Sequence, residues 1–174
     1  MTIPLILFVI VFLPMILEAA RSNANDRGLR AAGAVEAPGD VHAVMALAYP
    51  GFFLAMIGEA WVRHRSADTL FLLGAAIFVL AKGLKYWAIA TLGRRWTFRV
   101  LVPPGSSRTI TGPYVFLDHP NYVAVAGEVA GVALMAGALV TGPIAFVGFV
   151  LLMLRRIRIE ERALGMPVRS TGKR

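Results

Sequence analysis

Residues 69–92 read TLFLLGAAIFVLAKGLKYWAIATL, an apolar stretch whose only charged residues are Lys82 and Lys85. A helix of this length is about 36 Å long, which is enough to cross the roughly 30 Å hydrocarbon layer of a bilayer. Because residues three apart lie on the same side of a helix, both lysines share one face. The stretch therefore predicts a membrane-spanning helix with one basic face.

The rest of the chain is equally apolar. Of its 174 residues, 57% are hydrophobic and 16% are charged, and the mean hydropathy is +0.68. Further spans are predicted at Ile3–Ala20, Val41–Trp61 and Tyr122–Val140, and a last helix begins at Ile144, is apolar to Leu154 and continues as a polar helix to Leu164. We expect an all-α integral membrane bundle of about five transmembrane helices, forming one domain over residues 1–174.

The first span is expected to remain in the mature protein. Residues 1–20 lack the basic start and the small-residue cleavage site of a secretory signal peptide, and they contain Pro4 and Pro14. They are therefore predicted to form a retained helix.

Basic residues predict the orientation of the chain. The chain carries 18 Lys and Arg against 10 Asp and Glu, a net charge of +8. Apart from Lys82 and Lys85, only Arg63 and Arg65 fall on one side of the predicted spans. All the others fall on the opposite side: Arg21, Arg27, Arg30, Arg94, Arg95, Arg99, Arg108, Arg155, Arg156, Arg158, Arg162, Arg169, Lys173 and Arg174. The positive-inside rule then puts the N-terminus outside and the basic segments and the C-terminus in the cytoplasm. Orientation accounts for most of this basic surplus, so no nucleic-acid partner is predicted.

Several kinds of chemistry are disfavoured by missing residues. The chain has no cysteine, which excludes a disulfide scaffold, a thiolate metal site and a thiol nucleophile. The three histidines, His42, His64 and His119, are scattered, and no metal site is predicted. Neither a Gly-x-Gly-x-x-Gly nor a Walker A pattern occurs, which disfavours Rossmann and P-loop nucleotide sites.

Polar chemistry gathers between residues 97 and 122, where prolines and glycines prevent one continuous helix. Pro120 suits the first turn of the following helix, and Asp118 or His119 could cap it. The exposed amides of such a helix start attract anions, so His119 is either a donor to an anionic group or a capping residue. Tyr114 and Tyr122 are either membrane-interface anchors or site residues.

Three charged residues stand out in the last two helices. Arg156 and Glu160 are four residues apart, which predicts either a simple intrahelical ion pair or a face that presents both groups to a ligand. Glu128 lies inside the fourth span, where an ionised carboxylate must be paired or face a wet cavity. Lys82 or Lys85 could be its partner if the third and fourth spans are neighbours.

The order of these elements resembles a known family. Gly112-Pro113-Tyr114, then His119-Pro120-Asn121-Tyr122, and then Arg156 and Glu160-Glu161 with Leu164 are similar to the motifs of the isoprenylcysteine carboxyl methyltransferase family. Members are integral membrane enzymes that use S-adenosylmethionine. The motif-bearing part covers about residues 92–164.

The resemblance implies a cytoplasmic cofactor pocket formed by the loop before the fourth helix and the end of the fifth. The residues that it implies for S-adenosylmethionine are Ser106, Ser107, Arg108, Thr109, Tyr114, His119, Pro120, Asn121, Tyr122 and Glu160. Arg156 would face the reacting group of the acceptor. If the acceptor is a phenol, Glu128 or His119 could serve as a base. The lipid-like acceptor would enter sideways from the bilayer.

Two positions depart from the family pattern. Asp118 stands where the family has Arg, and Ser106 stands where the members that act on prenylcysteine have His. Residues 27–36 are similar to a bacterial subgroup that accompanies lipid-forming polyketide synthases, whose methyl acceptor is a phenolic or related lipid hydroxyl. A bacterial inner-membrane location follows from this resemblance.

The function predicted from the sequence is S-adenosylmethionine-dependent methylation of a carboxylate or phenolic hydroxyl on an isoprenoid or polyketide lipid. An NADPH-dependent membrane reductase with a sterol-reductase-like fold is the alternative, because Arg99, Arg108, Arg155 and Arg156 could bind a 2′-phosphate. A small non-enzymic transporter is a third reading, in which Glu128 and Lys82 only pair inside the bundle.

Overall fold

Five α-helices form the protein, as a computed structural model that describes residues 2–105, 109–163 and 165 shows. The elements in chain order are α1 (Thr2–Ala31), β1 (Val35–Glu36), α2 (His42–Val62), α3 (Thr69–Leu92), β2 (Leu101–Val102), α4 (Pro120–Ala136) and α5 (Thr141–Ala163). Two short 3₁₀ helices cover Gly93–Arg95 and Gly112–Val115. The strands pair antiparallel, with Val35 opposite Val102, and join the α1–α2 and α3–α4 connections. The prediction of an all-α bundle is confirmed.

Three of the described helices are long and apolar enough to cross a membrane: Thr2–Ala31, His42–Val62 and Thr69–Arg95, which extends α3 through its 3₁₀ end. Helix α4 is apolar but has only 17 residues, and the second half of α5 is strongly charged. Large apolar side chains such as Leu47, Leu72 and Leu80 point outward, with more than 60% of their surface exposed. Outward-facing apolar side chains on long helices are what contact with lipid requires.

Helix α1 is longer than the sequence predicted, because it continues past Ala20 to Ala31. Its polar second half packs against the segment that follows α3. Ser22 Oγ accepts a hydrogen bond from Phe98 N at 2.7 Å, and Asn25 Nδ2 donates to Trp96 O, also at 2.7 Å. The predicted boundary at Ala20 was wrong because it followed hydropathy alone, whereas these tertiary hydrogen bonds stabilise a further three turns of polar helix.

Helices α3 and α4 form the closest pair in the bundle. A Cβ atom added to Gly74 would lie 2.6 Å from Gly131 O, and one added to Gly131 would lie 2.8 Å from Gly74 O. Gly127, four residues before Gly131, faces Ala81 in the same way. Small residues four apart allow helix backbones to approach in a membrane. The close approach brings α3, with its two lysines, against the helix that carries Glu128.

Charged side chains close the end of the bundle where α2 and α4 end and α3 and α5 begin. The Glu59 carboxylate accepts a hydrogen bond from Thr141 N at 2.8 Å and so caps the start of α5. Arg63 pairs with Glu59 at 3.0 Å, while Arg65 donates to Met135 O at 3.3 Å and pairs with Asp68. Arg63 and Arg65, the two arginines on the less basic side, therefore stabilise helix ends. At this end of the bundle, helix α4 ends at Ala136 instead of the predicted Val140, because Gly137 adopts a left-handed conformation with φ +59°.

Candidate active site

A cavity of about 420 Å³ is lined by residues of all five helices and of the segment after α3. This volume is within the range of roughly 300–1,000 Å³ for small-molecule sites. Along α2 the lining runs from His42 to Pro50, which at 1.5 Å per residue is about 12 Å. One end of the cavity is therefore near the basic ends of the helices, and the other lies inside the bundle.

The two ends of the cavity differ in character. Polar side chains gather near the helix ends: Arg95, Tyr114, His119, Asn121, Tyr122, Arg156 and Glu160. The deeper wall is mostly apolar and includes Met15, Ala19, Met45, Ala46, Pro50, Val125 and Phe149. A molecule that fills the cavity would need a polar part and an apolar part.

We call the side chains of Asp40, His119, Tyr122, Arg156 and Glu160 the outer cluster. The Tyr122 hydroxyl donates to Glu160 Oε2 at 2.6 Å and accepts from Arg156 Nε at 2.9 Å. Arg156 is 6% exposed, and its Nη1 lies 3.3 Å from Asp40 Oδ1. The predicted Arg156–Glu160 face is thus joined through Tyr122, not through a direct ion pair.

Asp40 is the member of the outer cluster that sequence reasoning missed. It precedes α2, and its two oxygens accept hydrogen bonds from His42 N at 3.1 Å and Val100 N at 2.8 Å, in addition to the contact with Arg156. The residue therefore ties the α1–α2 connection and the segment after α3 to the last helix. Its only signal in the sequence was an acidic residue directly before an apolar span.

His119 occupies the N-cap position of α4, but its side chain makes no capping hydrogen bond. Its ring lies against the Tyr122 ring with centroids 5.4 Å apart, and its Nε2 is 3.6 Å from Glu161 Oε1. Pro120 takes the first helical position, as predicted. The imidazole, free of a capping role, lines the cavity instead.

Tyr114 reaches the cavity from the 3₁₀ helix Gly112–Val115. Burial raises the pKa of its hydroxyl, and the nearby Glu160 carboxylate raises the pKa further. Gly112 has φ +57°, and a Cβ there would lie 2.4 Å from Thr91 Oγ1. Glycine is therefore required for this turn to pack against the end of α3, which explains the glycine two positions before the tyrosine.

A second group of polar side chains lies deeper, and we call Glu18, Tyr49, Lys82, Lys85 and Glu128 the inner cluster. Lys85 Nζ is 2.6 Å from Glu18 Oε2 and 3.3 Å from Glu128 Oε1. Lys82 Nζ is 2.9 Å from Glu18 Oε1 and 3.3 Å from Glu128 Oε2. The Tyr49 hydroxyl donates to Glu128 Oε2 at 2.6 Å. The cluster joins helices α1 to α4, and both lysines are partners of Glu128.

The predicted site residues fall into three groups. Six of them line the cavity together: Tyr114, His119, Asn121, Tyr122, Arg156 and Glu160. Glu128 is not among the lining residues, although its partners Tyr49 and Lys85 are. Pro120 is buried at the start of α4, and Thr109 Oγ1 accepts a hydrogen bond from Arg95 at 2.8 Å. Ser106, Ser107 and Arg108 lie outside the described residues.

Two of the arginines considered for a 2′-phosphate already have acidic partners. Arg99 is 3.3 Å from Asp26 Oδ2 and 2.9 Å from Glu36 Oε1. Arg156 is held by Asp40 and Tyr122. These pairs reduce the positive charge that a phosphate would meet and weigh against the reductase alternative.

Comparisons with known proteins agree with the motif order. The profile of the isoprenylcysteine carboxyl methyltransferase (ICMT) family matches residues 72–166. An uncharacterized protein of Bacillus subtilis (strain 168), YpbQ, is 29% identical over 159 residues, which are 91% of this chain and 95% of that protein. An uncharacterized protein of Haemophilus influenzae is 25% identical over 144 residues, or 82% of this chain and 84% of that protein.

No solved structure matches the chain significantly. The family profile covers more than half of the sequence, including most of α3, all of α4 and α5, and the cavity residues that they contribute. The chain belongs to the isoprenylcysteine carboxyl methyltransferase family and is a membrane methyltransferase.

Proposed function

We propose that the protein transfers a methyl group from S-adenosylmethionine to an oxygen of a membrane-embedded, lipid-like acceptor. The observation that carries this proposal is the cavity, which is polar near the basic helix ends and apolar inside the bundle. Such a cavity suits a polar cofactor at one end and an apolar acceptor at the other. The acceptor oxygen belongs to a carboxylate or a phenolic hydroxyl of an isoprenoid or polyketide lipid.

The polar end offers acceptors that fit the cofactor. Asn121 Oδ1 is buried in the cavity wall and accepts no hydrogen bond from any described residue. An unsatisfied buried oxygen is costly, so a bound donor such as an ammonium group would stabilise it. Glu160 adds a carboxylate, and Tyr114 adds an aromatic ring. The cofactor supplies an activated methyl group on a positively charged sulfur, which favours this acidic and aromatic surrounding.

The remaining groups would position the acceptor. Arg156 is fixed by Asp40 and Tyr122, so its guanidinium is held before any ligand binds. A carboxylate acceptor needs only this orientation, because its oxygen is already nucleophilic. A phenol must lose its proton, and His119 is better placed to accept it than Glu128, since only His119 lines the cavity.

The charge distribution supports a cytoplasmic site. The polar end of the cavity lies among the basic helix ends, while Arg63 and Arg65 at the other end of the bundle form ion pairs and contact helix ends. By the positive-inside rule we place the N-terminus outside and the site and C-terminus in the cytoplasm of a bacterial cell. Cytoplasmic access would supply the cofactor, and the acceptor would enter from the bilayer.

The first test measures cofactor binding to the purified protein in detergent by calorimetry. We expect saturable binding of S-adenosylmethionine by the wild type, at least tenfold weaker binding by Glu160→Ala and His119→Ala, and unchanged binding by the exposed-site variant Arg158→Ala. NADPH serves as the comparison ligand. Wild-type affinity in both site variants would contradict the site assignment, and binding of NADPH alone would contradict the proposed reaction.

A further inference from the structure

The inner cluster meets the cavity through only two of its five members. Tyr49 and Lys85 line the cavity wall, whereas Glu18, Lys82 and Glu128 are not part of the lining. Lys85 is 2% exposed, so almost all of its side chain is enclosed by neighbouring residues. The cavity, apolar around Met15, Met45 and Phe149, therefore has a polar floor.

The floor offers one donor and one acceptor. An ammonium group carries three hydrogens. Lys85 Nζ lies 2.6 Å from Glu18 Oε2 and donates to Glu128 Oε2 at 3.4 Å, so two hydrogens have partners, and the third can turn either to Glu128 Oε1 at 3.3 Å or to a ligand in the cavity. The Tyr49 hydroxyl donates to Glu128, so its oxygen still has a lone pair available. A hydroxyl group on a ligand could accept from Lys85 and donate to Tyr49 at once.

The charge balance selects an uncharged ligand group. Two carboxylates, Glu18 and Glu128, face two ammonium groups, Lys82 and Lys85, so the cluster is already neutral. An anion at the floor would add a third negative charge beside two glutamates. An uncharged hydroxyl adds hydrogen bonds without disturbing this balance.

The floor is separate from the outer cluster. Glu128 is six residues beyond Tyr122 on α4, which corresponds to about 9 Å along the helix. Tyr49 is seven residues beyond His42, the first residue of α2, whose backbone N donates to Asp40 of the outer cluster; seven helical residues correspond to about 10 Å. A single acceptor headgroup between the two clusters could therefore contact the outer cluster at one oxygen and the floor at another.

We propose that Tyr49 and Lys85 form a second polar subsite that binds an uncharged hydroxyl of the acceptor, so that the enzyme selects lipid headgroups with two oxygen substituents over those with one. The proposal rests on the proposed function, because it places the acceptor in this cavity. In such a headgroup, the oxygen near the outer cluster receives the methyl group and the other one binds at the floor.

The test compares two probe lipids, a long-chain alkylphenol and the matching alkyl dihydroxybenzene, which differ by one hydroxyl. Their dissociation constants are measured in detergent by quenching of tryptophan fluorescence, since Trp96 lines the cavity. We expect the wild type to bind the dihydroxy lipid about tenfold more tightly, as for one hydrogen bond to a charged group. In Tyr49→Phe the ratio should fall to about threefold or less, because only the hydrogen bond to Lys85 remains, with little change for the alkylphenol.

Tyr86→Phe is the matched control, because Tyr86 lies on α3 outside the cavity lining and is 44% exposed. It should keep the wild-type ratio. If Tyr49→Phe does not fold, the paired variant Glu18→Gln with Lys85→Met keeps the cluster neutral and should also lower the preference severalfold. A wild-type ratio near one, or an unchanged ratio in folded Tyr49→Phe or in the folded paired variant, would overturn the subsite.

Failure of the subsite can be told apart from failure of the proposed function. Cofactor binding and methyl transfer to the probe lipids are measured on the same samples. Transfer without any preference for the dihydroxy lipid would overturn only the subsite. A preference that depends on Tyr49 in a protein that binds no S-adenosylmethionine would support the subsite and reject the methyl-transfer proposal.

Discussion

The outer and inner clusters use the same local arrangement for different purposes. In each, a tyrosine hydroxyl donates to a glutamate at 2.6 Å beside a basic side chain: Tyr122 to Glu160 near Arg156, and Tyr49 to Glu128 near Lys85. The inner cluster balances two carboxylates with two ammonium groups. The outer cluster has two carboxylates, on Asp40 and Glu160, against the one guanidinium of Arg156.

This difference in charge indicates a division of labour. A balanced cluster deep in an apolar bundle has no surplus charge to offer a ligand, so its carboxylates serve the fold. A cluster with one negative charge in excess, beside a cavity, can stabilise a cationic ligand such as a sulfonium. Loss of an inner-cluster carboxylate should therefore cost stability, whereas variants of the outer cluster should lose binding or catalysis.

The largest expected effect is that of Glu128→Ala. Glu128 is 2% exposed and pairs with both lysines, so the variant leaves buried positive charge without compensation. Removing one partner from a buried ion pair costs about 3–5 kcal/mol. We expect most of the protein to unfold or aggregate, which a thermal unfolding scan in detergent would show. Arg158→Ala, which removes an exposed charge, is the control.

An unfolding temperature for Glu128→Ala within a few degrees of the wild type would contradict this division of labour. In that case the inner cluster would be dispensable for the fold. Cofactor binding by the same folded variant would then show whether Glu128 acts in the reaction instead.

A smaller effect is expected for Asp40→Asn in the outer cluster. The amide keeps the shape of the side chain but removes the charge that holds Arg156, while a hydrogen bond from Val100 N can still form. We expect kcat for methyl transfer to fall about tenfold, or about 1.4 kcal/mol, with the dissociation constant of S-adenosylmethionine unchanged. A cooperative unfolding transition well above the assay temperature, which shows that the variant is folded, is the control. Unchanged kcat would mean that Asp40 does not position Arg156 for the reaction.

The smallest effect concerns Glu36, beside the outer cluster in the two-stranded sheet. Hydrogen bonds from Arg30 and Arg99 lower the pKa of its carboxyl below the usual 4.5. Because the pKa is lower in the folded state than in the unfolded state, these hydrogen bonds stabilise the fold. Their contribution to the free energy of unfolding is present above about pH 4.5 and is lost as the pH falls through the folded-state pKa. For a partly exposed pair it amounts to less than about 1 kcal/mol.

Unfolding by denaturant at pH 7 and at pH 3 would check this contribution. Glu36→Gln should be slightly less stable than the wild type at pH 7, and the difference should be smaller at pH 3. A stability difference that is the same at both pH values would show that the ion pairs of Glu36 contribute nothing.

Much of the fold was predictable because hydropathy and helix length are local properties. The span at Thr69–Leu92 has the predicted bounds, and the last helix does continue as a polar helix beyond Leu154. The end of α1 was not predictable in this way. Its last turns depend on Ser22 and Asn25, whose partners Phe98 and Trp96 lie some seventy residues away.

The site residues that belong to short sequence motifs could be predicted, whereas those whose role comes from contacts between distant parts of the chain could not. The Gly-Pro-Tyr, His-Pro-Asn-Tyr and Arg-Glu elements named six cavity residues, because each motif is short and continuous. Asp40 and Tyr49 belong to no such motif, since their roles arise from contacts with Arg156 and Glu128 on other helices. The close approach of Gly74 and Gly131, which brings Lys82 and Lys85 to Glu128, is likewise visible only in three dimensions.

The most direct test of the proposed reaction is methyl transfer itself. The purified protein, in bacterial lipid nanodiscs supplied with an alkylphenol, is incubated with S-adenosylmethionine carrying a labelled methyl group. Lipids are then extracted and examined by mass spectrometry. We expect a labelled methyl ether with the wild type and at least a tenfold lower yield with Glu160→Ala, while Arg158→Ala matches the wild type. If a long-chain fatty acid is supplied instead, a labelled methyl ester would assign a carboxylate acceptor. Cofactor binding without label in either lipid, or equal yields from wild type and Glu160→Ala, would contradict methyl transfer at this cavity.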